Sequence, residues 1–342
     1  MPKITNRRFF IAALGSMVGA LPFFKTTGVA QSEQHFRTKP EEVLHHAMAD
    51  DQDDPALAAV LRQKVLSLRG LAPMEFLTAF DYGKIASEKK GSRVREFEIV
   101  ATETRIEVAP GSFFDAWTYN GSVPGPTLRC TEGDQVRVHF SNRARSEHAI
   151  HFHGIHEAKM DGVYEPVMPG TSMTYEFIAG PAGLQLYHCH TSPAALHINR
   201  GLFGVFIIDP AAPQPPAREM VMVLHGWDTN FDRKNEFYAI NGAVNFYRDN
   251  PIQLCLGEEV RLYLANLMEY EPLSSFHLHA NFFKLFRTGI RSQPAESTDV
   301  VTLSQAERCM LEFSYRFPGR YMFHPHQNAV AERGCMGHFQ VS

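Results

Sequence analysis

Val136-Arg137-Val138-His139-Phe140-Ser141-Asn142 returns further along the chain as Val260-Arg261-Leu262-Tyr263-Leu264-Ala265-Asn266. The first run alternates apolar with other residues at period two, the pattern of a β-strand that buries one face, and the second is a β-rich run of the same length. Other pieces return in the same order. Asn120-Gly121 matches Asn241-Gly242, and Tyr187-His188-Cys189-His190 matches Phe323-His324-Pro325-His326. From about Val94 the chain shows short β-rich runs broken by Gly, Pro and Asn, for example at 97–100, 175–178 and 205–208. Two copies of one β-sandwich of roughly 120 residues explain this economically. A stiff proline-rich stretch, Asp209-Pro210-Ala211-Ala212-Pro213-Gln214-Pro215-Pro216, marks the boundary. The sandwiches are therefore placed at 93–212 and 213–342.

The remaining composition sets limits. The chain has 342 residues, 33 basic against 37 acidic, for a net charge of −4. No basic field exists to hold a phosphate backbone, so nucleic-acid binding has no support. The amino terminus reads as an export signal over residues 1–30. Arg7-Arg8 precede an apolar run of about 16 residues, too short to span a bilayer, and small residues follow. The expected location is periplasmic or secreted by Tat export, with no membrane contact beyond the signal. Residues 31–92 read as an extension holding one helix. Asp54-Pro55 begin it, Leu57, Val60, Leu61, Val65 and Leu68 give its apolar stripe, and Gly70 ends it.

Seventeen histidines are many for this length, and their placement is ordered. His151/His153, His188/His190, His277/His279 and His324/His326 form His-X-His pairs, two in each copy. Residues i and i+2 of a strand share a face, so each pair presents two imidazoles side by side. Imidazole suits copper, zinc and iron. Eight imidazoles exceed the needs of one ion, which points to a multinuclear cluster. The first copy adds His148 and His197. Cys189 alternates away from His188 and His190, so it can serve a second site. His148, Cys189 and His197 make a His2Cys set, the ligand set of a blue type 1 copper. Leu202 stands where an axial Met would be expected. In the second copy Ser274 and Pro325 replace His148 and Cys189, and Arg333 stands near the place of His197.

His148-X-X-His151-X-His153-Gly154 and His188-Cys189-His190 with the later His197 resemble the copper signatures of the multicopper oxidases, in particular the two-domain, laccase-like branch with type 1 copper in the first domain. The resemblance covers residues 94–342. It implies an all-β fold of two tandem cupredoxin-like Greek-key sandwiches. It also implies about four coppers per subunit, bound by imidazole and thiolate. His148, Cys189 and His197 would hold type 1 copper. His151 and His277 would hold type 2, and His153, His188, His190, His279, His324 and His326 the type 3 pair. Partners implied are dioxygen, a small reducing substrate (phenol, aromatic amine or metal ion) or a redox protein, and two further copies of the chain in a homotrimer. Asp161 stands where the family places an acid near type 2 copper, to guide protons or orient a bound water. Glu157 and His156 are weaker candidates. No carboxylate occurs between Thr191 and Leu196, where the family has one.

Three other readings compete. A copper nitrite reductase also has two such domains, a trimer and a first-domain type 1 copper, but needs three histidines at its second site. A cupin leaves Cys189 unexplained. A non-enzymatic copper-binding protein would keep the fold without turnover. Cys130, Cys255, Cys309 and Cys335 allow three pairings into disulfides, and none is preferred. Met160, Met168 and Met173 read as filler rather than ligands.

Overall fold

The computed structural model describes residues 72–89, 92–291 and 295–342. The export signal at 1–30 and the helix expected after Asp54 lie outside the described residues. The first half runs α1 (Pro73–Phe76), β1 (Phe80–Asp81), β2 (Lys84–Lys89), β3 (Ser92–Ala109), β4 (Ser112–Tyr119), β5 (Thr127–Thr131), β6 (Gln135–Asn142), β7 (His151–Phe152), a 3-10 turn at Ala158–Met160, β8 (Ser172–Ile178), β9 (Gly183–His188), α2 (Ala194–Asn199) and β10 (Phe203–Asp209). The second half runs β11 (Arg218–Trp227), β12 (Phe237–Ile240), α3 (Phe246–Asp249), β13 (Ile252–Leu254), β14 (Val260–Asn266), β15 (Leu273–Leu278), β16 (Phe283–Arg287), β17 (Glu296–Thr298), β18 (Val300–Ser304), β19 (Arg308–Phe313), β20 (Gly319–His324), α4 (Asn328–Glu332) and β21 (Gly337–Val341). The fold is all-β, as the alternation requires. No helix among the described residues is long and apolar enough to cross a membrane.

Four sheets stack in layers. The outermost first-half sheet is β2-β3-β6-β8, with β4 on β3. It packs on β1-β5-β10-β9-β7 through Phe97, Val138, Phe140, Tyr175, Tyr187 and Phe206. The far face of that second sheet meets β12-β11-β14-β19-β16-β17. Leu184, Leu186, Val205 and Ile207 on one side join Val221, Val223, Tyr263 and Met310 on the other. The third sheet then packs on β13-β21-β20-β15-β18 through Leu262, Leu264, Phe276, Leu278, Phe323 and Phe339. Residues 80–89, which the sequence gives no strand periodicity, supply β1 and β2 to the first two sheets. Their register comes from neighbouring strands, which local alternation does not reveal.

The repeat is a physical one. β6 and β14 each lie parallel to the opening long strand of their half, β3 and β11. Asn120 and Asn241 both adopt positive φ, 54° and 53°, before Gly121 and Gly242. Each asparagine stitches the turn to that long strand. Asn120 Oδ1 accepts the Val100 N–H at 2.7 Å, and its amide donates to Glu98 O at 2.9 Å. Asn241 Oδ1 accepts the Val223 N–H at 2.8 Å, and its amide donates to Val221 O at 2.9 Å. Asn is one of the few residues that tolerate this backbone region while supplying both donor and acceptor. Asn241 is buried, so replacing it by Ala strands two backbone groups of β11. We expect Asn241→Ala to cost about 2–4 kcal/mol in urea unfolding of the metal-free chain.

Candidate metal centre

His148, Cys189 and His197 converge although 49 residues separate the two histidines in sequence. The strand alternation at the end of β9 aims Cys189 into the first sandwich core, with Tyr187, while Leu184, Leu186 and His188 face the other way. Two tyrosine hydroxyls fix the segment that carries the upstream histidines. Tyr119 donates to Ala149 O at 2.6 Å, and Tyr175 accepts the Ile150 N–H at 2.9 Å. α2 then brings His197 back over Cys189. Cys189 Sγ lies 3.2 Å from His197 Nδ1 and 4.0 Å from His148 Nδ1, and the two Nδ1 atoms are 3.2 Å apart. All three side chains are buried. The Ala149 N–H points at the sulfur at 3.4 Å. Leu202 is buried in the same core, so no thioether reaches the trio from that position.

Burial holds the His148 imidazole down at about 3, helped by His197 and Arg200, and holds His197 at about 4. Burial pushes the Cys189 thiol up. Two neutral imidazoles and a desolvated sulfur make a soft donor set. It fits a copper ion, which would replace the thiol proton. His148 faces the other donors with Nδ1, and its Nε2 is buried without a hydrogen-bond partner.

The eight remaining histidines form two quartets built to one plan. His151 pairs with His188 across β7 and β9, and His277 with His324 across β15 and β20. His153 Nε2 lies 3.1 Å from His188 Nε2, and His279 Nε2 lies 2.9 Å from His324 Nε2. The Nδ1 of His188 is 3.1 Å from the Cys189 carbonyl, and that of His324 is 2.7 Å from the Pro325 carbonyl. A ring that donates from Nδ1 presents an Nε2 lone pair, the form a metal needs. His190 and His326 complete the quartets, with ring centroids 5.5 Å from His151 and 4.7 Å from His277. Burial lowers His153 to about 3 and His188 to about 4, and it lowers His279 and His324.

Asp161 meets His151 twice. Its carbonyl is 2.9 Å and its carboxylate 3.2 Å from His151 Nδ1. The turn is forced by Gly162, at φ 71°, where a Cβ would collide with the Ile150 carbonyl. The second copy repeats the device with Asp299, which sequence reasoning missed. Its carbonyl is 2.8 Å and its carboxylate 3.8 Å from His277 Nδ1. Asp299 reaches His277 through the pairing of β15 with β18, and the loops around the two aspartates differ in length. The repeat alone does not align them. An open hollow of about 380 Å³ is lined by His151, His153, His156 and Asp161. His156 turns its ring nitrogens to the Phe152 and Glu157 carbonyls, and Glu157 pairs with Lys159 at the surface.

The two quartets do not meet within one chain. The first is on the face of its sheet opposite Phe152, beside edge strand β7. The second is on the face opposite Phe276, Leu278 and Phe323, which fill the second core, so it looks outward. The third sheet lies between them. Among the described residues no hydrogen bond or ring contact joins one quartet to the other. The second copy has lost the trio. Ser274 is buried with an unpartnered hydroxyl, and Arg333 donates to the Asn235 and Ala329 carbonyls. Cys130, Cys255, Cys309 and Cys335 are all free, with only Cys255 exposed. Met160 accepts the Glu176 N–H, Met173 packs on the first core and Met168 is exposed.

The buried imidazoles make acid costly. Their ordinary value is 6.5, and the folded chain holds five of them, His225 included, at about 3 or 4. Above pH 6.5 both folded and unfolded chains keep them neutral. Between there and about pH 3 the unfolded chain takes up protons that the folded chain refuses, so stability falls with falling pH. The urea midpoint of the metal-free protein should drop across this window and level off below it. A midpoint that rises on acidification would contradict the assignment.

Models of the multicopper oxidase family match residues 101–213 and 214–342. A copper-containing nitrite reductase of Neisseria meningitidis is 28% identical over 263 residues, covering 70% of this chain and 67% of that protein. Copper resistance protein A of Escherichia coli is 33% identical over 171 residues, 45% of this chain and 27% of that protein. The solved structure of a multicopper oxidase superposes with a TM-score of 0.78 at 45% identity, covering 81% of this chain and 99% of that one. A copper nitrite reductase from Nitrosomonas europaea gives 0.68 at 28%, covering 73% and 94%. The chain spans about two thirds of the length of the nitrite reductase relatives. With its tandem sandwiches and its histidine and cysteine groups suited to copper, this chain belongs to the multicopper oxidase family.

Proposed function

We propose that the chain is an oxidase that takes electrons singly from a reductant at a type 1 copper and passes them to dioxygen at a trinuclear copper cluster. His148, Cys189 and His197 would hold type 1 copper. His151 and His277 would hold type 2, and His153, His188, His190, His279, His324 and His326 the type 3 pair. The observation that carries this reading is the preservation of both quartets, eight imidazoles on one plan, beside an intact trio. Copper, when bound, supplies one-electron storage and an open site for dioxygen.

The chain's own groups do the rest. Cys189 is covalently adjacent to His188 and His190, and the His188 Nδ1–H donates to the Cys189 carbonyl. An electron arriving at the sulfur therefore has both a backbone path and a hydrogen-bond shortcut to the first quartet. Asp161 and Asp299 hold His151 and His277 with Nε2 free, and their carboxylates give protons a place beside each ring. Because the second quartet faces outward, we infer that a neighbouring copy brings its first quartet against it. A heterologous contact of this kind closes into a ring, and a homotrimer is the state we propose. Export to the periplasm through the twin-arginine signal belongs to the same reading.

Nitrite reduction is the second reading, supported by the relatives of that name. It needs only three histidines at the second site, and of the eight present here five would be surplus, His190 among them. Copper content and oxygen uptake separate the two. We expect about four coppers per subunit, an intense blue absorption and oxygen consumption with a generic reductant. Two coppers with nitrite turnover, or full copper without oxygen uptake, would overturn the oxidase. Cys189→Ser should abolish the blue band and leave cluster copper measurable by elemental analysis. Asp161→Asn and Asp299→Asn should each slow oxygen uptake by about 10–100-fold while the fold is retained.

A further inference from the structure

The trio is not open to a reductant. His148 is fully buried and His197 is 4% exposed. What covers them is Trp117 at the end of β4. Its ring stands 4.9 Å from the His148 ring and 4.7 Å from the His197 ring, edge-on to both. Trp117 is itself only 9% exposed, because Arg200 lies over the indole with its guanidinium carbon 4.4 Å from the ring centre. The arrangement is braced. The Trp117 backbone N–H donates to the Arg200 carbonyl at 2.9 Å, and Arg200 Nη2 donates to the Asp115 carbonyl at 2.7 Å. On the outer side Phe231, 50% exposed, touches the same guanidinium at 5.1 Å. Phe231 comes from the second half of the chain, so both sandwiches build this stack.

We propose that the Trp117–Arg200–Phe231 stack is the electron-entry surface, and that it selects anionic reductants, or redox proteins with an acidic face. The inference rests on the oxidase reading above and deepens it. A donor stands against Arg200 and Phe231, with the indole behind them, and never touches an imidazole. It loses one electron, the copper(II) bound by the trio gains that electron to become copper(I), and no atom is transferred. An aromatic ring in contact with both imidazoles shortens the gap that the electron crosses. Arg200 puts a fixed cation on the contact surface itself. Glu103 and Asp115 both attract Arg200, but Glu103 pairs with Arg145 and the Asp115 side chain is exposed to water, so the guanidinium remains the charge in contact with the ring. Phe231 supplies the apolar rim. A hydrogen bond from a neutral phenol to a ligand imidazole, which an open site would allow, has no room here.

Two measurements test this, one without copper. The chain has two tryptophans, and Trp227 is fully buried. In the metal-free protein iodide should quench fluorescence more than caesium. Arg200→Gln should erase the difference, and Trp117→Phe should leave emission that neither ion quenches. Equal quenching of the native chain by both ions overturns the charge selection. The second measurement follows anaerobic bleaching of the blue absorption in the copper-loaded protein. Hexacyanoferrate(II) should bleach faster than hexaammineruthenium(II), and Arg200→Gln should reduce that preference by about tenfold at low salt. Trp117→Leu, with its blue band retained, should lose most of its reduction rate. An unchanged or faster rate in Trp117→Leu makes the indole a mere cover and overturns the proposal. A native protein with no blue absorption sinks the oxidase reading, and this inference with it.

Discussion

Everything at the site depends on the alternation of side chains at the end of β9. Consecutive residues of a strand face opposite ways. Cys189 therefore enters the first core, where His148 and His197 wait, while His188 looks across the sheet toward the other histidines. Two environments become one residue apart without any special loop. A helix could not do this, since neighbours there diverge by about 100° and share a face only every third or fourth residue. The sheet also fixes the tautomers. Backbone carbonyls of Cys189, Pro325, Asp161 and Asp299 take the Nδ1 hydrogens, so Nε2 atoms converge in both copies. Fixed donors lose little freedom when a metal arrives, which favours tight binding.

The two copies show what duplication keeps and what it discards. The asparagine stitches at Asn120 and Asn241 both satisfy backbone groups of a long strand, fully buried ones in the case of Asn241. The quartets survive with the same strand register. The trio survives only in the first copy, where Ser274 and Pro325 now replace two of its members in the second. The outward face of the second quartet and the inner position of the first are what motivate the proposed site shared between subunits. The layering puts the third sheet between the quartets of one chain, and a second core of apolar side chains fills the space behind the outer one.

Much of this was legible in the sequence because it is local. Period-two alternation gave the strands, and i, i+2 spacing gave the histidine pairs. The same spacing placed Cys189 opposite His188. What was not legible depends on pairing between distant strands. Asp299 reaches His277 only through β15 and β18, and nothing near Asp299 marks it. β1 and β2 read as an extension because Lys84–Lys89 carries no apolar face of its own. The cover over the trio joins β4, α2 and a turn of the second half, so Trp117, Arg200 and Phe231 share no motif. That the quartets stand on separate layers is a property of sheet packing, which composition and spacing do not encode.

The central claim is that one copy's first quartet and a neighbour's second quartet make the oxygen site together. Subunit mixing tests it most directly. One chain carries His153→Ala and His188→Ala, the other His279→Ala and His324→Ala, and neither should consume oxygen alone. Dissociated, mixed and reassembled with copper, the pair should recover oxygen uptake, because some contacts in the mixed ring bring two intact quartets together. Mixed oligomers that form and carry copper yet remain inactive would contradict the account.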